Sequence, residues 1–357
     1  MNIHLFTNES LYSFELLRLF ETTVNLNDHL FIFRKEKTGS YIYSAAIESR
    51  IIYSTNYKQL IRIALPKLRA AKWIYFHYLP YGPSLILWAL QPSIISKSTW
   101  IVWGGDVFIY KKKNDSLKNR FYECLRKRII PWFPEIAAFV EQDAREAISV
   151  YNSNAQYIQI LYPIPVNLDF LVGLESKKST RRTKNILIGN SADTSNNHLE
   201  MLELLSEFSV EDVKVYCPLS YNGNPNYINT VVNKGKEIFK EKFIPILSMI
   251  PTEDYAIFLN EIDVVVMNHR RQQGLGNIIP LLYLGKKVFV RSDASSFSFL
   301  VEAGCIIFDT CSMNKSNFAS LISIESSSVE TNKKVVEKMM SPSYYAQLWN
   351  NLFNLHK

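Results

Sequence analysis

The sequence is poor in cysteine, with only four among 357 residues: Cys124, Cys217, Cys305 and Cys311. None of their spacings is that of a zinc site or a disulfide framework, so we expect four free, buried thiols in a reducing compartment. The first ten residues, MNIHLFTNES, lack the basic segment and apolar core of a secretory signal. The longest apolar run, residues 84–90, is too short to span a membrane. We therefore expect a cytoplasmic protein, either soluble or attached to a membrane surface.

Acidic residues are outnumbered, because 33 Asp and Glu stand against 40 Lys and Arg, which gives a formal net charge of +7. This excess favours anionic partners such as nucleic acid, anionic lipid or a nucleotide sugar. Hydrophobic residues make up 47% of the chain, which is ample for a buried core. Since 357 residues exceed the usual size of a single core, we expect two domains.

A segment rich in proline, serine and lysine, PIPVNLDFLVGLESKKSTRRTK, has no hydrophobic periodicity and divides the sequence. We predict an N-terminal domain at residues 1–165, a linker at 166–184 and a C-terminal domain at 185–357. The boundaries leave room for the last helix to cross back to the N-terminal domain.

Short β-branched or aromatic runs alternate with helical patterns in both halves. The predicted strands cover residues 3–6, 30–33, 73–78, 98–102, 137–140 and 158–161, then 185–188, 213–217, 246–249, 263–267 and 287–290. Strands that alternate with helices predict an α/β fold with parallel sheets. Ligands of such sheets bind beyond the carboxyl ends of the strands, so residues at those ends are the first site candidates.

Two titratable residues stand at predicted strand ends in the first domain. His77 ends one strand, and a histidine with an ordinary pKa of about 6.5 can act as a base at neutral pH. Asp106 follows the Trp103-Gly104-Gly105 turn and could serve as general base for a sugar hydroxyl. The alternatives are a core imidazole bonded to the backbone and a carboxylate that caps the next segment.

Residues 110–133, YKKKNDSLKNRFYECLRKRIIPWF, form the most basic stretch of the chain. Its basic residues are Lys111, Lys112, Lys113, Lys118, Arg120, Arg126, Lys127 and Arg128. Cys124 and Leu125 follow Phe121 by three and four residues, and Ile129 follows Leu125 by four, as on one face of a helix. Such a helix could lie in an anionic bilayer interface or present a solvated basic face over a buried stripe. No nucleic-acid-binding motif accompanies the charge, so we do not expect nucleic acid as a partner.

The second domain opens with a strand followed by a run of small polar residues and then a helix. Hydroxyls, amides and backbone N–H groups at a helix start suit a phosphate or a sugar, and a capped loop is the alternative. The candidate site residues in this run are Gly189, Asn190, Ser191, Asp193, Ser195, Asn196 and His198.

Residues 262–290, IDVVVMNHRRQQGLGNIIPLLYLGKKVFV, predict a strand, a polar loop, a helix and a second strand. We predict Asn277 as the helix N-cap, Pro280 in its first turn and Gly285 in a left-handed conformation at its end. The glycines before the helix permit close approach of a diphosphate to the helix start, whereas a solvated basic loop is the alternative. The candidate site residues here are Arg270, Arg271, Gln272, Gln273, Gly274, Gly276 and Asn277.

Three segments together resemble the TDP-N-acetylfucosamine:lipid II N-acetylfucosaminyltransferases, glycosyltransferase family 56. They are WGGD from Trp103, ILIGNSADTSNNH from Ile186 and RQQGLG from Arg271. Residues 213–221 and LYPIPVNLD from Leu161 lie in the corresponding order. The likeness begins near residue 73 and covers most of the remaining chain.

The resemblance implies a GT-B fold, in which two Rossmann-like domains with parallel sheets face each other across a cleft. It implies peripheral attachment to the cytoplasmic face of the bacterial inner membrane. The implied reaction transfers N-acetylfucosamine from a dTDP-sugar to an undecaprenyl-diphosphate-linked saccharide, for O-antigen or enterobacterial common antigen. In this scheme the N-terminal domain binds the acceptor and the membrane, and the C-terminal domain binds the nucleotide sugar.

The expected mechanism uses neither a metal nor another cofactor, because no DXD-type pair stands at a strand end. Main-chain donors, the helix dipole and Arg270 or Arg271 are expected to neutralise the leaving diphosphate. Asp106, or failing it His77, would take the acceptor proton if the reaction inverts configuration.

Pro280 occupies the place, five residues before Gly285, where related enzymes that bind ribose hydroxyls often carry a glutamate. We hypothesise that this carboxylate is missing because the nucleotide is a deoxyribonucleotide. Two alternatives stay open: a GT-B transferase that uses GDP-fucose or a UDP-sugar, and a non-catalytic basic adaptor that binds lipid or polysaccharide.

Overall fold

The computed structural model describes residues 1–35, 37, 39–111, 116–175, 182–313 and 317–356. The strands are β1 (Asn2–Phe6), β2 (His29–Phe33), β3 (Ile51–Tyr53), β4 (Trp73–His77), β5 (Ser98–Ile101), β6 (Glu135–Ala138), β7 (Gln156–Gln159), β8 (Lys184–Ile188), β9 (Val213–Pro218), β10 (Phe243–Ile246), β11 (Val264–Met267), β12 (Lys287–Val290) and β13 (Phe308–Asp309). The helices of the N-terminal half are α1 (Leu11–Thr23), α2 (Ala45–Glu48), α3 (Tyr57–Gln59), α4 (Leu65–Ala70), α5 (Ser84–Ala89), α6 (Pro92–Ile95), α7 (Leu117–Ile129) and α8 (Glu141–Val150). Those that follow are α9 (Leu168–Glu175), α10 (His198–Leu204), α11 (Pro225–Phe239), α12 (Thr252–Asn260), α13 (Leu275–Tyr283), α14 (Ser295–Glu302), α15 (Phe318–Ile322), α16 (Ser326–Met339) and α17 (Pro342–Asn354).

The chain forms two compact units, one of residues 1–164 with 341–357 and one of residues 165–340. The N-terminal unit contains a sheet of order β3-β2-β1-β4-β5-β6-β7, in which every strand pair is parallel. Its central strands are buried along almost their whole length. Such continuous burial explains the unbroken apolar runs of the sequence, since helices cover both faces of a parallel sheet.

Aromatic side chains fill both faces of the N-terminal sheet. On one face Phe76 meets Trp88 and Phe133 edge-on, at 5.1 and 5.5 Å between ring centroids. On the other, Phe20 of α1 meets Trp349 and Phe353 of α17 at 5.2 and 5.4 Å. The last helix of the chain therefore completes the core of the N-terminal unit.

The C-terminal unit contains a parallel sheet of order β10-β9-β8-β11-β12-β13. β8, β11 and β12 are buried, and α13 packs against α16 beside them. Gly285 follows α13 with φ +72°, as predicted for a left-handed residue at the helix end.

The predicted linker, residues 166–184, differs from the structure. Residues 168–175 form α9, which packs on α12, and the carbonyl of Leu174 accepts a hydrogen bond from the side-chain amide of Asn260 at 3.0 Å. Lys184 already belongs to β8. Leu171 and Leu174 are buried, so two leucines three residues apart anchor a short helix that the proline-rich context obscured. Residues 176–181 lie outside the described part of the chain.

Most predicted strands are confirmed, but several are displaced or missing from the prediction. β10 covers residues 243–246 rather than 246–249, and β6 and β7 begin two residues before their predicted positions. β3 and β13 were not predicted, because three- and two-residue strands leave almost no periodicity.

Of the thiols, Cys217 and Cys305 are buried as expected, whereas Cys124 and Cys311 are exposed. In the described part of the chain, no helix is long and apolar enough to cross a membrane.

Each sheet has one place where the chain reverses its direction of strand addition, between β1 and β4 and between β8 and β11. Loops beyond the carboxyl ends of the strands part at such points and leave room for a ligand. The two candidate sites described below lie at these places.

Candidate functional site

A pocket of about 460 Å³ lies at the carboxyl ends of β1 and β4 in the N-terminal unit. Its lining residues are Phe6, Thr7, Asn8, Ser10, Tyr12, Ser13, His77, Tyr78, Trp103 and Tyr162. Aromatic rings beside hydroxyl and amide groups suit a sugar, whose ring has apolar faces and a polar edge.

His77 lies at the inner end of this pocket and belongs to a row of hydrogen-bonded side chains. Its Nδ1 contacts the hydroxyl of Tyr162, and its Nε2 lies 2.9 Å from Nδ1 of His4. His4 in turn places its Nε2 2.9 Å from Nδ1 of His29. Burial lowers the pKa of His77 and of His4 well below 6.5 and that of His29 to about 4. All three rings are therefore neutral at pH 7, and His77 acting on its own would be a weak base.

Asp106 is fully buried, and both of its carboxylate oxygens accept hydrogen bonds. Oδ1 accepts from the amide of Trp103 at 2.9 Å, and Oδ2 accepts from the amide of Leu79 at 3.1 Å and the indole of Trp100 at 2.9 Å. Burial raises its pKa, and these hydrogen bonds oppose the rise. The prediction of Asp106 as general base is therefore corrected: the geometry gives it a structural role, because an acceptor hydroxyl cannot reach a carboxylate already surrounded by donors.

Tyr78 follows His77 with φ +87°, a conformation that non-glycine residues rarely adopt. Its amide donates to the carbonyl of Ile101, and the next amide, that of Leu79, is held by Asp106. Strained backbone of this kind persists where its surroundings fix it, often beside a ligand. Asp106 thus fixes the backbone that presents Tyr78 to the pocket.

The predicted basic stretch forms α7, but its buried face differs from the prediction. Tyr122, Arg126 and Ile129 are buried, whereas Leu117 and Phe121 are 82% and 50% exposed. Arg126 donates to the carbonyl of Asp106 at 2.6 Å and to the hydroxyl of Tyr151 at 3.0 Å. Its assignment to a membrane surface was wrong, since its guanidinium lies inside the N-terminal unit.

The other basic residues of this stretch divide into two groups. Lys118, Arg120, Lys127 and Arg128 are exposed on α7. Lys111 is exposed at the end of a 3₁₀ turn and pairs with Glu146 at 2.8 Å. Lys112 and Lys113 lie outside the described residues.

In the C-terminal unit, the polar loop after β8 and the loop after β11 are joined through Gln273. Its amide nitrogen donates to Oδ1 of Asn190 at 3.1 Å and to the hydroxyl of Ser191 at 3.0 Å. Its amide oxygen accepts from the hydroxyl of Ser195 at 2.7 Å. Gln273 and three predicted donor-site residues of the β8 loop, far from it in sequence, therefore form one cluster at the switch point of the sheet.

Asn196 and His269 form a second, buried layer beneath this cluster. Oδ1 of Asn196 accepts from the amide of Asn190 at 2.9 Å and lies 2.7 Å from Nε2 of His269. His198 lies beside them, with its Nδ1 3.1 Å from the hydroxyl of Tyr227. Burial is the largest cause that lowers the pKa of His269 to about 3 and that of His198 to about 4. Both imidazoles are neutral at pH 7, so they support the loops rather than supply charge.

The two positive-φ glycines of the site are required by close packing. Gly189 has φ +66°, and a Cβ there would lie 2.7 Å from both Oδ1 of Asn196 and Nε2 of His198. Gly274 has φ +76°, and a Cβ there would lie 3.0 Å from His269. A side chain at either position would strain the backbone and push the two loops apart.

The helix α13 begins earlier than predicted. Its N-cap is Gly274, so Asn277 lies in the first turn and donates from its side chain to the hydroxyl of Tyr255 at 3.1 Å. Pro280 is consequently inside the helix rather than in its first turn. Among the described residues, the amides of Leu275 and Gly276 have no hydrogen-bond acceptor, so the helix start can donate to an anion.

The two predicted arginines of the loop differ in their surroundings. Arg271 is 22% exposed and lies 3.5 Å from Asp193, which places its charge beside the Gln273 cluster. Arg270 is 65% exposed and pairs with Glu200 at 3.3 Å, away from the cluster. Gln272 receives a hydrogen bond from Arg271 at its backbone carbonyl, at 3.2 Å.

Several residues of this site were not predicted from the sequence. Tyr221 accepts from the side chain of Asn190 at 3.0 Å, and Tyr255 contacts Asn277. Asn268 accepts from Arg291 at 3.3 Å and from Thr310 at 3.0 Å. Asn268 and Arg291 could have been found from the sequence, because each directly follows a strand, whereas Tyr221 and Tyr255 carry no such signal. Within the described residues, no group of three His, Cys, Asp or Glu side chains is arranged to hold a metal ion.

Two parallel sheets of this order, one in each unit, give the chain the GT-B fold. Similar solved structures include Anabaena HepE in complex with UDP-glucose, with 12% identity, a TM-score of 0.67 and coverage of 99% of this chain and 100% of that one. A glycosyltransferase from Rickettsia africae shares 13% identity, with a TM-score of 0.65 and coverage of 100% and 97%. Sucrose-phosphate synthase from Thermosynechococcus elongatus shares 12%, with a TM-score of 0.67 and coverage of 99% and 98%.

The family follows from a match over nearly the whole chain. The chain belongs to the 4-alpha-L-fucosyltransferase family, glycosyl transferase group 56, whose family model matches residues 10–356. The expected family is thereby confirmed, and the protein is a glycosyltransferase that uses a nucleotide-sugar donor and a saccharide acceptor.

Proposed function

We propose that this protein transfers a deoxy-aminosugar, by default N-acetylfucosamine, from a dTDP-sugar to an undecaprenyl-diphosphate-linked saccharide. The observation that carries the proposal is the cluster in which Gln273 binds both Asn190 and Ser191 beside the free amides at the start of α13. These donors and the charge of Arg271 converge where a leaving diphosphate would be stabilised. Because the cluster supplies this stabilisation itself, transfer without a metal is part of the proposal.

The choice of a thymidine nucleotide rests on α13. The helix LGNIIPLLY carries no carboxylate, and Pro280 is buried at the place where ribose-binding relatives often carry a glutamate. A carboxylate there would bind ribose hydroxyls, of which deoxyribose has one fewer. The absence of that group supports a dTDP-sugar over a UDP- or GDP-sugar.

The N-terminal pocket is the proposed acceptor site. Trp103 and Tyr162 lie 4.5 Å apart between ring centroids, and Tyr162 stacks on Phe139 at 5.6 Å. Such rings provide a flat apolar wall for a sugar, while Asn8, Ser10 and Ser13 offer polar groups to its hydroxyls. We assign the terminal sugar of the acceptor to this pocket.

The exposed face of α7 is the proposed membrane contact. Leu117, Phe121 and Cys124 are exposed at helical spacing, and the cations Lys118, Arg120, Lys127 and Arg128 flank them. α5, which packs on α7, adds Ile86, and Leu90 follows the end of α5; these two residues are 44% and 70% exposed. Apolar side chains among cations match an anionic bilayer surface. This supports peripheral attachment to a membrane, which we assign to the cytoplasmic face of the inner membrane. A role in O-antigen or enterobacterial common antigen synthesis is part of the same proposal.

Calorimetric titration of the full chain with dTDP, UDP and GDP, first without metal and then with magnesium, tests the donor. We expect dTDP to bind without metal and at least tenfold more tightly than UDP or GDP. The Gln273→Glu variant places a negative charge in the proposed diphosphate site, formed by Gln273, Asn190, Ser191 and the start of α13, and should lose dTDP binding. Gln347→Glu makes the same change at an exposed position of α17 and should bind like wild type.

Other outcomes would redirect the assignment. Preferential binding of GDP or UDP would overturn the thymidine donor and indicate a transferase of GDP-fucose or of a UDP-sugar. Binding of anionic vesicles without binding of any nucleotide would favour a non-catalytic lipid or polysaccharide adaptor.

A further inference from the structure

The row of side chains behind the N-terminal pocket has a direction across the sheet. In the parallel register Asn2 pairs with His29, His4 pairs with Tyr75, and Phe6 pairs with His77. Residues two apart share one face of a sheet, so the three histidines lie on the same face. They run from the amino end of β2, over the middle of β1, to the carboxyl end of β4, a span of about 13 Å along the strands.

Each step of this row is short enough for proton exchange. Tyr162 contacts Nδ1 of His77, and both histidine-to-histidine distances are 2.9 Å. Every contact joins one ring's Nδ1 to the next group, so each neutral ring can accept at one nitrogen and donate at the other. A single consistent set of tautomers therefore connects Tyr162 to His29.

Packing keeps the middle of the row dry. His4 is fully buried and stacks on Tyr75 at 4.8 Å, and Phe353 of α17 meets it edge-on at 5.7 Å. Trp349 of the same helix stacks on His77 at 5.9 Å. Without water between the rings, a proton can cross this layer only through the rings themselves.

The two ends of the row are open to different surroundings. Tyr162 and His77 line the pocket. At the far end, His29 is 4% exposed and follows the exposed Asp28, and its Nε2 has no hydrogen-bond partner among the described residues. The row thus runs from the proposed acceptor site to the amino end of β2, next to the exposed Asp28.

We propose that Tyr162, His77, His4 and His29 form a proton relay that removes the proton of the acceptor hydroxyl during glycosyl transfer. This assignment rests on the proposed acceptor site and deepens it. Tyr162 takes the proton while its own proton passes to Nδ1 of His77. His77 and His4 each pass on an Nε2 proton, and His29 releases its Nε2 proton to solvent.

The relay balances the chemistry of transfer. The acceptor oxygen forms its bond to the anomeric carbon, the bond from that carbon to the diphosphate oxygen breaks, and the diphosphate leaves with the electron pair. The acceptor proton remains on Tyr162 until water takes it in the emptied pocket, and His29 then regains a proton from solvent. No ring becomes charged in the buried layer, which agrees with the lowered pKa values of the histidines.

The variants His4→Phe and His29→Gln interrupt the relay, and Tyr75→Phe is the matched control. Tyr75 stacks on His4, is equally buried, and its hydroxyl has no partner among the described residues, so removing it leaves the row intact. His29→Gln lies at the edge of the core, and it tests the relay even if His4→Phe fails to fold.

Turnover is measured in H2O and in mixtures with D2O. The donor is dTDP-N-acetylfucosamine, or GDP-fucose if wild type transfers only that sugar. We expect both relay variants to lower kcat at least tenfold and to bind nucleotide within twofold of wild type, since base catalysis contributes about 10²-fold or more. Wild type should give a curved dependence on deuterium fraction, and the variants a linear one. A wild-type kcat in both variants, or a linear wild-type dependence, would overturn the relay.

A second readout does not depend on the donor. Nitrogen-15 NMR of the full chain with labelled histidine should show His4, His29 and His77 neutral at pH 7 and in the same tautomer. Mixed or charged rings would overturn the relay. Failure of the dTDP-sugar proposal would appear instead as absence of wild-type transfer from that donor, with the ring tautomers unaffected.

Discussion

Asp106 accepts a hydrogen bond from the amide of Leu79 at 3.1 Å, and this bond fixes the backbone next to Tyr78, where φ is +87°. The same carboxylate holds Trp100 and Trp103, and Arg126 binds its backbone carbonyl. One buried acid therefore joins the ends of β4 and β5 to α7. The pocket keeps its form because of this junction, although the carboxylate itself does not face the acceptor.

Asp106→Asn should destabilise the N-terminal unit by about 3 kcal/mol, because an amide group would set its N–H₂ against one or two donors that now bind a carboxylate oxygen. All six tryptophans lie in residues 1–164 or 341–357, so tryptophan fluorescence in urea follows the unfolding of this unit alone. The control Asp254→Asn, exposed on α12, should leave the transition unchanged. Unaltered stability with lost turnover would instead restore Asp106 as the general base.

Gly189→Ala should weaken dTDP binding at least tenfold, because its Cβ would displace Asn196 and His198 beneath the proposed diphosphate site. The left-handed backbone adds a cost of about 1–2 kcal/mol in the stability of the C-terminal unit. Gly173→Ala is the matched control, since nothing lies within 4 Å of its Cβ and its place inside α9 favours alanine. Calorimetry with dTDP distinguishes them, and equal affinities would remove Gly189 from the site.

Much of the fold could be predicted because parallel strands buried on both faces give continuous apolar runs. The runs at β8, β11 and β12 were located correctly for this reason, and polar residues directly after β8 and β11 marked the donor site. Gly285 was predictable because the end of a helix often requires a left-handed backbone conformation, which only glycine adopts freely.

The remaining features depend on tertiary contacts that leave no local pattern. Arg126 resembles its neighbours in the basic stretch, and only the carbonyl of Asp106 and the hydroxyl of Tyr151 distinguish it. In the sequence, His4 and His29 do not differ from other strand residues, because only the position of β1 between β2 and β4 brings them together with His77. The prediction of Asn277 as N-cap rests on the preference of asparagine for that position, yet the N-cap is Gly274, three residues earlier.

The division of the basic stretch gives a prediction about charge. Arg128→Gln should weaken binding to anionic vesicles about fivefold, since a surface cation contributes about 1 kcal/mol, and leave stability unchanged. Arg126→Gln should instead destabilise the N-terminal unit by several kcal/mol, roughly 3, because its partners are buried. Vesicle sedimentation and urea unfolding on both variants check this, and the reverse pattern would contradict the placement of Arg126.

The apolar part of the proposed membrane face is tested separately from its charge. Phe121→Ser should reduce vesicle affinity roughly tenfold, because an exposed aromatic ring that enters the bilayer contributes about 1.5 kcal/mol or more. Val210→Ser changes an 83% exposed apolar residue of the C-terminal unit and should have no effect. Equal binding by the two variants in high salt, where charge is screened, would exclude insertion of α7.

Acid should destabilise the N-terminal unit at a pH where most proteins are still at their maximum stability. His4 and His77 stay neutral when folded, and the folded pKa of His29 is about 4, whereas the unfolded histidines titrate at about 6.5. Below that pH the unfolded chain binds protons that the folded unit excludes, so the free energy of unfolding falls as the pH falls. The slope should reach about 1.4 kcal/mol per pH unit for each histidine, and the contribution of His29 should level off below its folded pKa. Tryptophan fluorescence in urea at pH 7, 6 and 5 measures the slope. His4→Phe should reduce it by one proton and Tyr75→Phe should not, whereas the same slope in both would mean that His4 is protonated in the folded unit.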